Sequence, residues 1–258
     1  MEALPGIHRI EVPLGERLLC LYLLIGRHRT LLVDTGTDQT PRQYLVPYVN
    51  SIGLSALQID YVLITHADWD HQGGNVSLRE IAPHALLMCH PFDQPLIESI
   101  DQLIEKRYGE FQQEHQIDES AETKAWIRQN NHSETRIDLT LTGGETFLLD
   151  EDWPVHVWHT PGHSAGHLSI YDSKHRAAII ADAVLWNCVA KRDGTSAFPP
   201  TYRYTETYLS TIHFLSNVPI ETLLTAHYRV FRGREVGEFL AESRSFADHL
   251  QSMLRCAG

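Results

Sequence analysis

Four side chains of the kinds that hold divalent metals, His66, Asp68, Asp70 and His71, fall within six residues of one another. They stand in the segment Thr65-His66-Ala67-Asp68-Trp69-Asp70-His71-Gln72-Gly73-Gly74. Imidazole nitrogen and carboxylate oxygen are the donors that zinc, iron and manganese take. A strand would send alternate side chains to one face and leave His71 on the other. A tight loop can instead converge all four, with Gly73-Gly74 giving the backbone freedom to turn into the next helix. The competing reading of these residues is a solvated polar loop. Three further positions weigh against it. His163 lies in the Gly/Pro-punctuated loop His159 to His167, Asp182 follows the apolar run Ala177 to Ala181, and His227 follows Thr222 to Thr225. Each stands at the C-terminal end of a strand, where α/β sheets gather their ligands.

The elements that must position these residues are legible as patterns. Runs rich in Leu, Ile and Val predict strands at Ile7 to Val12, Leu18 to Ile25, Thr30 to Val33, Tyr61 to Ile64 and Ala85 to Met88. The third of these ends in the turn signal Asp34-Thr35-Gly36, and helical spacing over Pro41 to Ile52 follows. Strand signals resume at Thr146 to Leu149, Val155 to Trp158, His167 to Tyr171, Ala177 to Ile180 and Thr222 to Thr225, and helices are expected near Thr205 to Leu215 and Val236 to Leu254. Between them, Glu98 to Lys124 carries eight acidic residues against three basic ones. Across about Phe92 to His132, Leu96, Ile100, Leu103 and Ile104 recur at helical spacing, which predicts two or so inserted helices exposed on one face.

Composition sets the outer bounds. The 258 residues are 43% hydrophobic and 21% charged, as in ordinary globular proteins. A formal net charge of −12 disfavours a general nucleic-acid binder. The longest apolar run near the N-terminus, Leu18 to Ile25, is too short to span a bilayer, and basic residues follow it rather than a cleavage site. The expectation is a cytoplasmic protein without nucleic-acid or membrane partners. Cys20, Cys89, Cys188 and Cys256 form no CxxC and read as ordinary thiols. Of the 16 histidines, His8, His28, His84, His90, His115, His132, His156, His175, His213 and His249 lack paired spacing and read as surface or core residues. His167 reads as a structural neighbour of the site. Ser164 has no GxSxG elbow around it, which disfavours a serine nucleophile.

In their order along the chain, Asp34, the HxDxDH segment 66–71, His163, Asp182 and His227 resemble the metallo-β-lactamase superfamily. The resemblance implies an α/β fold of the αββα type, two mixed β-sheets packed face to face with helices outside. It implies a single domain over residues 1–258, with the helical insertion at about 92–135 covering the site. It places a first metal on His66, Asp68 and His163, a second on Asp70, His71 and His227, and Asp182 as the bridge, with Asp34 orienting a ligand. The family's motif usually reads HxHxDH, so Asp68 stands where a histidine is expected. A carboxylate there makes the first position harder and more anionic; alternatively, Asp68 turns away and only the second metal binds tightly. The implied cofactor is two divalent metal ions, zinc first, with iron or manganese as the alternatives that harder oxygen ligands suit.

Two such metals would supply hydroxide at neutral pH and polarise the bond it attacks. The expected function is hydrolysis of an ester, lactone, thioester or amide of a small molecule. Asp70 and Asp182 are candidate catalytic groups for moving the proton. Tyr228 is a candidate hydrogen-bond donor to the developing oxyanion, with packing as its other reading. Trp69, Trp186, Tyr202 and Tyr204 are candidates for a substrate wall, or core residues. The resemblance leaves two other chemistries open, a non-haem iron oxidoreductase of the persulfide dioxygenase kind and a phosphodiesterase. A degenerate, non-catalytic binding module is the third class, and the exposed insertion is a reasonable contact for a homodimer.

Overall fold

The computed structural model describes residues 1–131 and 134–256. His132 therefore lies outside the described residues. The chain forms two compact units: Met1–Glu2, Gly6–Ile10 and Leu21–Leu141 in the first, and Ala3–Pro5, Glu11–Cys20 and Thr142 onwards in the second.

One sheet holds β1 (Glu2–Leu4), β2 (Ile7–Leu14), β3 (Arg17–Ile25), β4 (Thr30–Val33), β5 (Tyr61–Leu63), β6 (Leu86–Cys89) and β7 (Leu139–Thr140) side by side in chain order. β3 and β4 form an antiparallel hairpin, with Tyr22 opposite Val33 and Ile25 opposite Thr30. From β4 to β7 the strands run parallel. Leu19 to Leu24 and all of β4 are buried, so these strands read as continuous apolar runs rather than alternating ones. Parallel pairing of Val33 with Leu63 carries the ends of β4 and β5 to the same edge, where Asp34 and Thr65-His66 follow.

The other sheet is built from β8 (Thr146–Asp150), β9 (Trp153–His159), β10 (Leu168–Asp172) and β11 (Ala177–Ala181). After the small ribbon of β12 (Val189–Ala190) and β13 (Ser196–Phe198) come β14 (Thr222–Thr225) and β15 (Phe231–Arg232). The order is β15-β14-β11-β10-β9-β8, with β11 and β14 parallel and the other pairs antiparallel. Parallel pairing again brings two strand ends together, here those that precede Asp182 and His227. Two mixed β-sheets with helices are the fold class that the sequence implied.

Two amphipathic helices close the core of the second unit. Thr205–Ser216 buries Tyr208, Thr211, Ile212 and Leu215, and Arg234–Cys256 buries Val236, Phe239, Leu240, Ser243 and Ala247. Both sets recur at three and four residues, one stripe of a helix. Each large apolar side chain so buried contributes about 1.5–3 kcal/mol. No helix among the described residues is long and apolar enough to cross a membrane.

The inserted region is more broken than its periodicity suggests. It forms helical segments at Gln94–Glu98, Ile100–Leu103, Ile104–Tyr108, Gln112–His115 and Ala121–Asn130. Ile97, Leu103, Ile104 and Ile127 turn inward, while Ile117 and Trp126 stay exposed.

Candidate metal centre

The first unit gathers its ligand candidates around Asp34. This residue adopts a left-handed backbone (φ 64°), a strained conformation that turns its carboxylate under the motif. One oxygen accepts from the Thr65 backbone N–H at 2.7 Å, and the other from the Thr65 hydroxyl at 2.9 Å and His71 Nδ1 at 2.8 Å. The Thr65 hydroxyl in turn accepts from His66 Nδ1 at 3.0 Å. Asp34, Thr65, His66 and His71 are all buried, and the two imidazole centroids lie 4.1 Å apart.

Asp68 is the N-cap of a short helix, Trp69–Gln72, so Asp70 and His71 sit on a helical turn rather than in an open loop. The glycine pair that follows does not serve backbone freedom, because Gly73 and Gly74 hold ordinary negative φ values of −60° and −84°. Space is the reason instead. A Cβ on Gly74 would lie 2.5 Å from the Thr35 carbonyl oxygen.

An N-cap aspartate ordinarily accepts from its own helix. Asp68 does not. Its carboxylate pairs with Arg107 of the insertion, Oδ1 with Nε at 2.5 Å and Oδ2 with Nη2 at 2.7 Å. The neighbouring Tyr108 hydroxyl accepts from the Trp69 N–H at 3.1 Å, satisfying a helix-end donor that Asp68 leaves. Burial works against the charge on Arg107, yet the Asp68 carboxylate holds the guanidinium above its ordinary range. Burial also pushes the Tyr108 hydroxyl well up, and pushes Asp93 up to about 7 despite Arg107 and the Ala67 N–H. None of Arg107, Tyr108 or Asp93 was legible from sequence. Arg107 lies 39 residues from Asp68 within a charged stretch, and the only hint was a carboxylate where the family carries histidine.

In the second unit each ligand candidate follows a strand end. His163 lies in the loop from β9 to β10, where Gly162 (φ 138°) passes so close to the helix Thr205–Ser216 that a Cβ would lie 2.5 Å from Tyr208 Cα. The Gly162 carbonyl accepts from Arg203 N–H at 2.8 Å, and the Pro161 carbonyl from Thr211 Oγ1 at 2.7 Å. β11 is irregular between Ile179 and Ala181, and Ala181 is left-handed (φ 40°), which re-aims the chain just before Asp182. Asp182 Oδ2 lies 3.2 Å from His227 Nε2 and 4.0 Å from His163 Nε2. His167 is buried, its Nδ1 3.0 Å from Thr160 Oγ1, which suits a supporting role.

The chemistry of this donor set fits a divalent metal. His163 Nδ1 donates to the Thr201 carbonyl at 2.6 Å and His227 Nδ1 to the Leu18 carbonyl at 2.7 Å. A carbonyl oxygen only accepts, so in each neutral ring the proton is on Nδ1 and the Nε2 lone pair is left for a ligand role. Asp34 and Thr65 fix His71 and His66 in the same sense. Four rings share one tautomer, as metal-binding histidines do.

The aromatic candidates divide. Tyr228 is buried and donates its hydroxyl to the Cys188 carbonyl at 2.8 Å, and burial raises its pKa far above the usual range. Trp186 packs edge-on to Tyr228 and bonds Glu242 through Nε1 at 2.7 Å, and Tyr202 stacks on Tyr208 at 4.4 Å. Trp69 meets Trp126 of the insertion edge-on at 4.6 Å.

Residues 17–227 match the family described as the metallo-beta-lactamase superfamily. The chain is similar to a probable metallo-hydrolase of Bacillus subtilis, YflN, at 24% identity over 98% of this chain and 94% of the relative. It is 28% identical to YobT, an uncharacterised protein of the same bacterium, over 63% of this chain and 60% of that one. Among solved structures, a metallo-beta-lactamase family protein from Thermus thermophilus matches with a TM-score of 0.72 at 21% identity, covering 98% of this chain and 82% of that one. With the family match spanning most of its length, this chain belongs to the metallo-β-lactamase superfamily.

Proposed function

We propose that the chain is a metal-dependent hydrolase that cleaves an ester, lactone, thioester or amide bond of a small molecule. The reading takes His66, Asp70 and His71 of the first unit, and His163, Asp182 and His227 of the second, as metal ligands. The observation that carries it is the common tautomer of four buried histidines, each tied back through Nδ1. A divalent metal at such ligands activates water at neutral pH and polarises the bond under attack. Imidazole-rich ligation puts zinc first, with manganese or iron as the alternatives.

The chain's own residues supply the rest. Asp34 and the carbonyls of Thr201 and Leu18 orient the rings and raise their basicity. Asp70 and Asp182 are the carboxylates able to take a proton from the attacking water and pass it to the leaving group. The Trp69–Trp126 pair offers an apolar surface beside the motif, which suits a substrate with a hydrocarbon acyl part. Tyr228 enters through packing, since its hydroxyl is already committed to Cys188. YflN, described as a probable metallo-hydrolase, supports the same class.

Elemental analysis of the purified protein, with a panel of nitrophenyl esters, lactones and thioesters, tests the reading. Bound metal and metal-dependent hydrolysis are the expected results. Oxygen uptake with thiol substrates and no hydrolysis would replace it with the oxidoreductase chemistry.

A further inference from the structure

We infer that Arg107 weakens the first metal position from within, so that the chain holds its metals unequally, firmly at Asp70 and His71 and loosely at His66 and Asp68. The inference rests on the metal-centre reading above and adds an order of loading to it.

Two separate observations point the same way. The first is the ion pair. Arg107 has a side chain only 7% exposed, and it engages both oxygens of Asp68. The oxygen taken by Nη2 at 2.7 Å is Oδ2, the same atom that lies 3.4 Å from His66 Nε2. Any metal shared by His66 and Asp68 must therefore use an oxygen that already accepts from a guanidinium. That group does not deprotonate in proteins, so the metal meets a neutral pair and a nearby like charge rather than a full anion. The second is what stands behind each histidine. His71 is backed by the Asp34 carboxylate, and His66 by the Thr65 hydroxyl. A carboxylate behind an imidazole makes it the stronger ligand.

The insertion holds this arrangement in place. Tyr108 bonds the Trp69 N–H on the adjoining helix end, and Asp93 contributes a second acidic group close to Arg107. Arg107 thus acts through Asp68 as a positioning residue, setting how much charge the first position offers.

The test is zinc titration of the metal-free, full-length protein by calorimetry, checked by competition with a chromophoric chelator. The wild type is expected to bind zinc in two separated steps. In R107Q, which removes the charge and keeps a donor for Asp68, the weak step should tighten by about tenfold or more while the tight step stays put. In D68N the weak step should disappear and the tight one remain. Two zinc ions bound with equal affinity by the wild type would overturn the inference and leave the hydrolase reading standing. So would an R107Q protein whose weak step is unchanged or weaker, or a D68N protein that keeps it. No zinc bound at all would overturn both.

Discussion

Asp34 is not among the proposed ligands, yet it fixes the ring of His71 and, through Thr65, that of His66. Asp34→Asn should keep the packing while lowering metal affinity about 10–100-fold, measured by chelator competition. Asp93 makes a different prediction. Burial raises it from 3.8 to about 7, so the folded chain keeps a proton that the unfolded chain releases. Where the folded state binds more protons, stability falls as pH rises, here from about 4 towards 7. Asp93→Asn should flatten that fall in urea midpoints of the metal-free protein, leaving wild type and variant closest below pH 4. Asp70, His71, His163, Asp182 and His227 could be picked out as candidates because ligand-type residues at strand ends are a local pattern. Arg107 was not, because its partner is set by tertiary folding and its neighbours in sequence are other charges.

Strand pairing decides where those residues end up. β4 with β5, and β11 with β14, are parallel neighbours, so each pair delivers two chain ends to one edge of its sheet. The irregularity at Ala181 and the close pass of Gly162 then aim Asp182 and His163. Gly162→Ala puts a Cβ 2.5 Å from Tyr208 Cα at a backbone angle that suits glycine. It should cost about 2–4 kcal/mol, read from denaturant midpoints, with zinc affinity falling alongside. The long strands and both amphipathic helices were readable in advance, because continuous apolar runs and three-four spacing are strong signals. The two- and three-residue strands β1, β7, β12, β13 and β15 were not, since so few residues carry no period. The insertion's several short helices were blurred for a similar reason, as breaks at Ser99 and Gly109 interrupt one apolar stripe.

At the scale of the molecule, the sequence motifs, two mixed sheets and the family match over residues 17–227 agree. The substrate was the least legible part, because an acidic insertion reads equally as a solvated face or as a cover. A metal bound only by the folded chain adds stability by mass action, about 2.7 kcal/mol at a hundred times its dissociation constant. A chelator should therefore lower the melting temperature, and zinc should restore it. Metal-dependent hydrolysis is tested most directly by comparing metal content and esterase or lactonase activity in wild type and Asp70→Ala. At least one divalent metal per wild-type chain is expected, with metal and hydrolysis lost together in a variant that still folds. A wild type free of metal, or an Asp70→Ala protein that hydrolyses its substrate undiminished, would contradict it.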